Sequence, residues 1–555
     1  MKKILLISTA ILGFAVAHGQ TNVSGFISTN TTWNLSGSPY IVVGNALVSQ
    51  NVTLTIDPGV IVKFNNSKAL QIDGTLIAIG SASNRIKFTS NQASPTSGDW
   101  AKLHFSNYSV DASFDTYGNY VSGCIMKYCD VLYAGGLGYG AIDVEQSSPY
   151  ISRCRILNSA ASGVYYNCNI AIIDSSSIRN CTDNGILFQT GHFLMQNDSI
   201  TNNISGGILM WDGFDGIQSK VLNCYFASNN NAISWQYNGL HNTTISGNSF
   251  VNNSGAVIYM SGHFDTLTCN KFINNHGGPA IYWDGSINGG LIFNNLFQGN
   301  TNTSGASVIY AGAGYPSGSG GDTLIIANNI VKNNSSSGNS CCIFYSALDY
   351  FNSPEFMRIY DNIFTNNTGS NLIEMQGPQN SNVLTDFLYM KNNTFSNPNC
   401  QYELYNNIPY GAQNLYLDSN YWGSISTAHI DAVIYDYFDF ANQSVVYYSP
   451  ILTSTVILDT TCRPFPHPVV GIKEITKSQN YFSVYPNPTS DQFFIEANTT
   501  DKLNVDLYDV NGRHVFSKSV SDKSNIDVTN LNTGVYSLTI KTIDRVINKK
   551  LIIVR

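Results

Sequence analysis

Five short blocks in the middle of the chain place an apolar residue between two asparagines: Asn248-Ser-Phe-Val-Asn252, Asn270-Lys-Phe-Ile-Asn274, Asn329-Ile-Val-Lys-Asn333, Asn362-Ile-Phe-Thr-Asn366 and Asn393-Thr-Phe-Ser-Asn397. Weaker copies centre on Ile156, Ile178, Ile200, Phe226 and Phe297, and successive anchors lie 22, 22, 26, 24, 22, 25, 34, 33 and 31 residues apart. A period of this length describes a solenoid, in which one repeat cannot bury its apolar face until the next repeat stacks on it. The shorter gaps fit one coil of three short strands and three turns. The longer gaps fit the same coil carrying a loop, as at 312–321 and 335–339. Asparagine suits both tasks such a coil sets: it tolerates positive φ where strands bend, and stacked copies can hydrogen-bond into a ladder.

A second strand follows each anchor by 8–12 residues, as in Gly163-Val-Tyr-Tyr, Gly185-Ile-Leu-Phe and Ala256-Val-Ile-Tyr. Period-two alternation groups Tyr166, Phe188, Met210, Trp235, Tyr259, Trp283, Tyr310 and Tyr345 in one column. With the β-branched partner facing inward, this column reads as core stacking; an outward platform for sugar rings stays open as the alternative. The other face carries Tyr165, Leu187, Leu209, Ile258, Tyr282 and Phe344. The expected fold class is all-β, with Phe226, Phe250, Phe272, Phe297, Phe364 and Phe395 stacked inside one solenoid. Only 12% of the 555 residues are charged, which suits strands and turns rather than helices.

Lys2 and Lys3, the 14 apolar residues from Ile4 to Ala17 and the small residues after them have the form of a secretory signal peptide over 1–19. That run is short for a bilayer span, and no other segment is apolar enough, so no transmembrane segment is expected. A net charge of −8 provides no basic field for nucleic acid. The eleven cysteines follow no framework or metal-ligand spacing; most read as small core residues, with Cys124 and Cys129 a candidate disulfide.

Leu54 to Phe64, Leu70 to Leu76 and Arg85 to Ser90 read as first coils, and Asn420-Tyr-Trp-Gly423 with Ile430 to Pro450 as the last coil and its cap. Together with the Asn-Asn-x-Phe repeats, these blocks resemble the pectin-lyase-like right-handed parallel β-helix superfamily over roughly residues 40–455. The resemblance implies the fold and leaves the activity open, because that superfamily holds lyases, hydrolases, esterases, adhesins and proteins of unknown role. After a 20–459 solenoid with its caps comes a proline-rich linker over 460–477, containing Cys462-Arg-Pro-Phe-Pro-His-Pro468. Residues 478–555 then alternate as strands, entered by Tyr485, Pro486, Asn487 and Pro488 and folded back at Asn511-Gly512, a hairpin signal. This block resembles the type A sorting domain of type IX secretion, a small β-sandwich. It implies the type IX machinery as partner and an extracellular or outer-surface destination.

Between residues 101 and 460 stand ten Lys plus Arg, in different coils. The superfamily's Gly-His-Gly and Arg-Ile-Lys motifs are missing; Gly191-His192-Phe193 and Gly262-His263-Phe264 half-match the first, so no catalytic residues carry over. One constellation stands out by its offset from the anchors: His192, Asp215, His241 and His263, 13 to 15 residues on, with Asp212 and Asp284 each 12 on. Stacked in adjacent coils, such side chains would form a ligand, metal or acid–base column; solvated turn tips are the plainer reading. Trp211, Trp235 and Trp283 are candidates for sugar stacking. No cofactor is evident, and Ca²⁺ is open as a ligand without a motif that supports it. Two functions follow: binding of polysaccharide or another surface along the solenoid face, or a polysaccharide lyase or glycoside hydrolase with its cleft there. Deleting residues 478–555 is expected to leave the chain in the periplasm of its own host, read by fractionation and surface proteolysis.

Overall fold

A computed structural model describes residues 19–211, 218–236, 243–260, 265–285, 290–313, 323–337, 340–346, 356–376, 388–409, 414–458, 462, 483–485, 489–496, 502–508, 513–521, 523–541 and 546–554. The chain divides into two units, the first ending at Pro468 and the second beginning at Val469.

The first unit is a parallel β-helix. Its strands follow one another around three faces, each pairing in parallel with the strand one coil on. The anchor strands Tyr225–Ala227, Ser249–Val251, Lys271–Ile273 and Leu296–Gln298 stack with Phe226, Phe250, Phe272 and Phe297 in direct register. Every second side chain of these three-residue strands points inward, so each coil delivers one ring to one interior column. Ring centroids lie 5.1, 4.8 and 4.7 Å apart, at about strand spacing. Phe364 and Phe395 continue the column to Trp422, all fully buried. The solenoid starts earlier than the first recognisable coils of the sequence: Thr21–Ile27 already pairs with Tyr40–Val48.

The asparagines divide their labour by position. Residues that open a doublet turn the corner: Asn252, Asn274, Asn333 and Asn366 have φ of 52, 53, 56 and 55°. Their successors Asn253, Asn275, Asn334 and Asn367 are buried. Asn275 Oδ1 accepts from the backbone N–H of Asn253 (2.9 Å) and from its side-chain amide (3.1 Å). The Asn275 amide donates in turn to Phe250 O (3.0 Å) and Asn300 Oδ1 (2.9 Å). This ladder runs from Asn203 to Asn397 and ends on Glu403, whose two carboxylate oxygens accept the last backbone and side-chain N–H groups at 2.8 Å each. A second ladder, from Asn248 to Asn420, closes on the carbonyls of Met390 and Leu417. The two ladders satisfy the backbone N–H groups that the corners would otherwise leave buried and unpaired.

Two expectations about side chains are corrected. Cys124 and Cys129 are separate buried thiols, and the disulfide joins Cys269 to Cys462 across 193 residues, tying the segment after the cap back to a middle coil. Tyr259 and Tyr310 leave the core column. Ile233 pairs with Ile258, and Ile281 with Ile309, so the motifs at 256–259 and 307–310 carry one extra residue before the shared isoleucine. A slip of one residue reverses the face. The inward column is therefore Tyr166, Phe188, Met210 and Trp235, followed by Met260, Trp283 and Ala311, and Ile258 is buried rather than outward. Tyr345 pairs with Ala311, in the same register position.

In the second unit, Ser483–Tyr485, Gln492–Glu496 and Ser524–Asp527 form one antiparallel sheet, and His514–Val520, Leu503–Tyr508, Gly534–Lys541 and Val546–Ile553 a second. Phe493, Ile495, Val505, Leu507, Leu538 and Leu551 bury a core of their own. Tyr485 lies on an edge strand and is exposed; Pro486, Asn487, Pro488, Asn511 and Gly512 lie outside the described residues, and the last two fall between paired antiparallel strands.

Asn275→Ala removes one acceptor shared by two buried donors and is expected to destabilise the solenoid by about 2–4 kcal/mol. Asn274→Gly, at the positive-φ corner beside it, is expected to change stability by less than about 1 kcal/mol. Guanidinium unfolding followed by near-UV circular dichroism checks both.

Candidate functional site

Alternation along the second strand of each coil sends one row of side chains outward along the whole solenoid. Gln71, His104, Asp143, Tyr165, Leu187 and Leu209 occupy successive coils in register. Ser234, Tyr259, Tyr282 and Tyr310 continue the row, and Glu374, Tyr405 and Tyr435 end it.

The row has two chemically distinct stretches. At its N-terminal end, polar groups converge. Lys102 Nζ lies 2.5 Å from Asp143 Oδ2, while Gly140 N–H donates to Asp143 Oδ1 at 2.7 Å. Asp143 is 1% exposed, and burial raises its carboxyl above the usual range although Lys102 and Gly140 pull the other way. His104 stands one coil before it; burial and then the Lys102 charge hold the imidazole below its ordinary value. Its Nδ1 is buried and makes no hydrogen bond among the described residues. Tyr165 packs against the exposed Tyr139 with ring centroids 4.8 Å apart and planes tilted by 33°, donates to Gln189 and has its phenol pushed up to about 12 by burial and the neighbouring Glu145. A neutral imidazole, an ammonium and a buried carboxyl on adjacent coils are a set that can move a proton.

Further along, the row is aromatic. Tyr259, Tyr282 and Tyr310 are half-buried and stacked on one another at 4.9 and 4.6 Å, with planes within 7 and 10°. Because each ring face covers the next, the row turns ring edges outward, one per coil. Tyr405 and Tyr435 repeat the arrangement at 4.4 Å. Between them Glu374 accepts from Asn371 (3.1 Å) and Gln376 (3.2 Å).

The residues singled out by sequence fare differently. His192 follows Gly191, whose φ of 106° puts a notional Cβ 1.6 Å from Cys168 O, so the corner requires glycine there. His192 itself pairs with Ile170 within the long strand Asn184–Gln196 rather than standing at a free turn tip. Asp212, Asp215, His241 and His263 lie outside the described residues, as does the side chain of Asp284 on the strand Ile281–Gly285. Trp235 and Trp283 are 1% and 0% exposed and point into the core, which removes them as sugar platforms; Trp211 is 38% exposed. Among the described residues no group of three or more His, Cys, Asp or Glu is placed to hold a metal ion, and no helix is long and apolar enough to cross a membrane. Lys102, His104 and Asp143 were missed because they precede the anchors from which offsets were measured. Alternation in Leu103-His-Phe and Ile142-Asp-Val marks both polar residues as outward.

Residues 52–219 and 117–272 match the family of the right handed beta helix region, and residues 483–554 match the secretion system C-terminal sorting domain. No curated protein matches the sequence. Among solved structures, similarity extends to a mannuronic acid specific polysaccharide family 6 lyase from human gut microbiota, at 12% identity over 70% of this chain and 86% of that one, with a TM-score of 0.32. It extends also to the tailspike protein of E. coli bacteriophage HK620, at 12% identity over 96% and 86%, with a TM-score of 0.31. The chain thus carries a right-handed β-helix and a type IX sorting domain, and its destination is the cell surface or the extracellular space.

The His104 imidazole is expected to titrate below 6.5, and Lys102→Gln to move it upward by removing the nearby positive charge; NMR of the imidazole signals against pH reads both.

Proposed function

We propose that this exported right-handed β-helix binds an extended polysaccharide along the outward row formed by the second strand of each coil. The stacked Tyr259, Tyr282 and Tyr310 carry the reading: three ring edges in line, repeating at 4.9 and 4.6 Å along a rigid axis. Such a row suits a regular chain of sugar rings, whose hydroxyls and apolar C–H faces meet an equally amphipathic strip. Rigidity favours binding, since the ladders have already ordered the face and little entropy is lost there on association. The low share of Lys and Arg along the solenoid points toward hydrogen bonding and apolar contact rather than charge pairing.

A second reading, cleavage of the bound chain, is favoured by one observation: Lys102, His104 and Asp143 converge at one end of the same row, with the imidazole held below and the carboxyl above their ordinary values. One experiment separates the two. The purified chain is run against a polysaccharide panel, recording both retention and the appearance of reducing ends or unsaturated products. Tyr282→Ala is expected to weaken retention about tenfold with the fold intact. Retention unchanged in that variant would reject the tyrosine row as the binding face. Products lost in His104→Ala, with retention kept, would establish the cleavage reading.

A further inference from the structure

Beside the first outward row runs a second. Asn167, Gln189, Trp211 and Gln236 each stand one position past the inward column of Tyr166, Phe188, Met210 and Trp235. Alternation therefore turns them outward with Tyr165, Leu187, Leu209 and Ser234. Backbone bonds of 2.9 Å, from Trp211 N–H to Phe188 O and from Gln236 N–H to Met210 O, carry the coil pairing through these positions. Two residues of strand set the rows about 7 Å apart, close to the width of one sugar ring.

We propose that the polysaccharide bound along this face, on the reading above, is an uncharged one, with a sugar ring on Trp211 and its oxygens accepting from the Asn167 and Gln189 amides.

The second row presents donors. Asn167 Oδ1 accepts from Thr190 Oγ1 at 2.8 Å, and Gln189 Oε1 accepts from the Tyr165 hydroxyl. Neither side-chain nitrogen has a partner among the described residues, so each amide keeps its N–H groups for a ligand. Between Gln189 and Gln236 stands Trp211, 38% exposed although Met210 before it is buried. An indole offers an apolar face to sugar C–H groups, and the flanking amides meet hydroxyl and ring oxygens.

Charge then decides the class of polymer. The second strands from Ser162–Asp174 to Ser340–Ser346 contain neither Lys nor Arg. Lys102, at the start of the face, is committed to Asp143. The acidic residues have the opposite effect on a uronate or sulfated chain. Glu145 is exposed and pairs with Asn167 at the head of the second row, and Asp284 holds a register position further along it, opposite Gly312. An anionic polymer would set one negative charge after another along this face without a cation to meet them. An uncharged polymer loses nothing there, so part of the discrimination is repulsive.

The test uses the full chain and two pairs of polymers that share a backbone: methyl-esterified with free polygalacturonate, and hydroxyethyl-cellulose with carboxymethyl-cellulose. Affinity electrophoresis and calorimetry read retention at low and high salt. The uncharged member of a pair is expected to bind at least about tenfold more tightly, and the gap to narrow with salt as repulsion is screened. Trp211→Ala, and Gln189→Glu, which keeps the acceptor for Tyr165 and loses the donors, are each expected to weaken the uncharged polymer by about tenfold. Both should leave the circular dichroism spectrum unchanged. Gln236→Lys is expected to raise retention of the carboxylated polymer. Equal or tighter binding of the carboxylated members, indifference to Trp211→Ala and Gln189→Glu, no gain in Gln236→Lys, or no retention of either pair would each overturn the assignment. Retention of another polymer that Tyr282→Ala still weakens would leave the binding reading standing without it.

Discussion

The buried asparagine-to-asparagine hydrogen bond is the interaction on which the solenoid depends. Each coil must turn sharply several times, and each turn lifts a backbone N–H out of the strand ladder into an apolar interior. Left unpaired, such a group costs about 1–3 kcal/mol, and a coil stack repeats the problem at every level. One asparagine per corner solves it by accepting from the coil before and donating to the coil after. The same bond also sets register. An asparagine oxygen that must meet two donors at once, as Asn275 meets Asn253, leaves no room for a coil to slide. The phenylalanine column and the tyrosine row inherit their alignment from it.

Much of this was legible from the residues. The spacing of Phe226, Phe250, Phe272 and Phe297 specified both the coil and its interior column, and doublets such as Asn274-Asn275 marked the corners. The second strand was harder. Ala256-Val-Ile-Tyr looks like Ala232-Ile-Ser-Trp, yet Ile258 rather than Val257 pairs with Ile233, and Tyr259 moves to the outer face. Apolar residues at three consecutive positions carry no period-two signal, so only pairing with the neighbouring coil decides which of them turns inward. That slip separated a core reading from a surface one, and with it the tyrosine row from view.

The Lys102, His104 and Asp143 cluster escaped for a different reason. It is built from residues far apart in sequence: Lys102 and Asp143 meet across 41 residues. It has no motif, because the solenoid rather than a local turn brings the partners together. The disulfide is the extreme case, with 193 residues between Cys269 and Cys462. A pair of neighbouring cysteines such as Cys124 and Cys129 draws attention in sequence. In the coil, Cys124 precedes the strand Ile125–Lys127 and Cys129 opens the strand Cys129–Leu132, each with its thiol buried toward a backbone carbonyl, Cys124 toward Gly74 and Cys129 toward Ala78.

Where the ladder is constant, the chain between its rungs is free to vary. Successive rungs from Asn253 to Asn397 are bridged by 22, 25, 34, 33 and 30 residues, yet the hydrogen bonds that join them stay between 2.8 and 3.1 Å. The extra residues fall largely between the strand bearing the outward row and the next strand, as between Ile309–Ala313 and Thr323–Ala327. Loop closure grows only slowly more costly with length, so such insertions add little penalty while the corners stay pinned. The variable segments therefore begin where the tyrosine row ends its strand. The result is a frame that holds a face rigid while insertions of differing length are accommodated between its strands without disturbing the core.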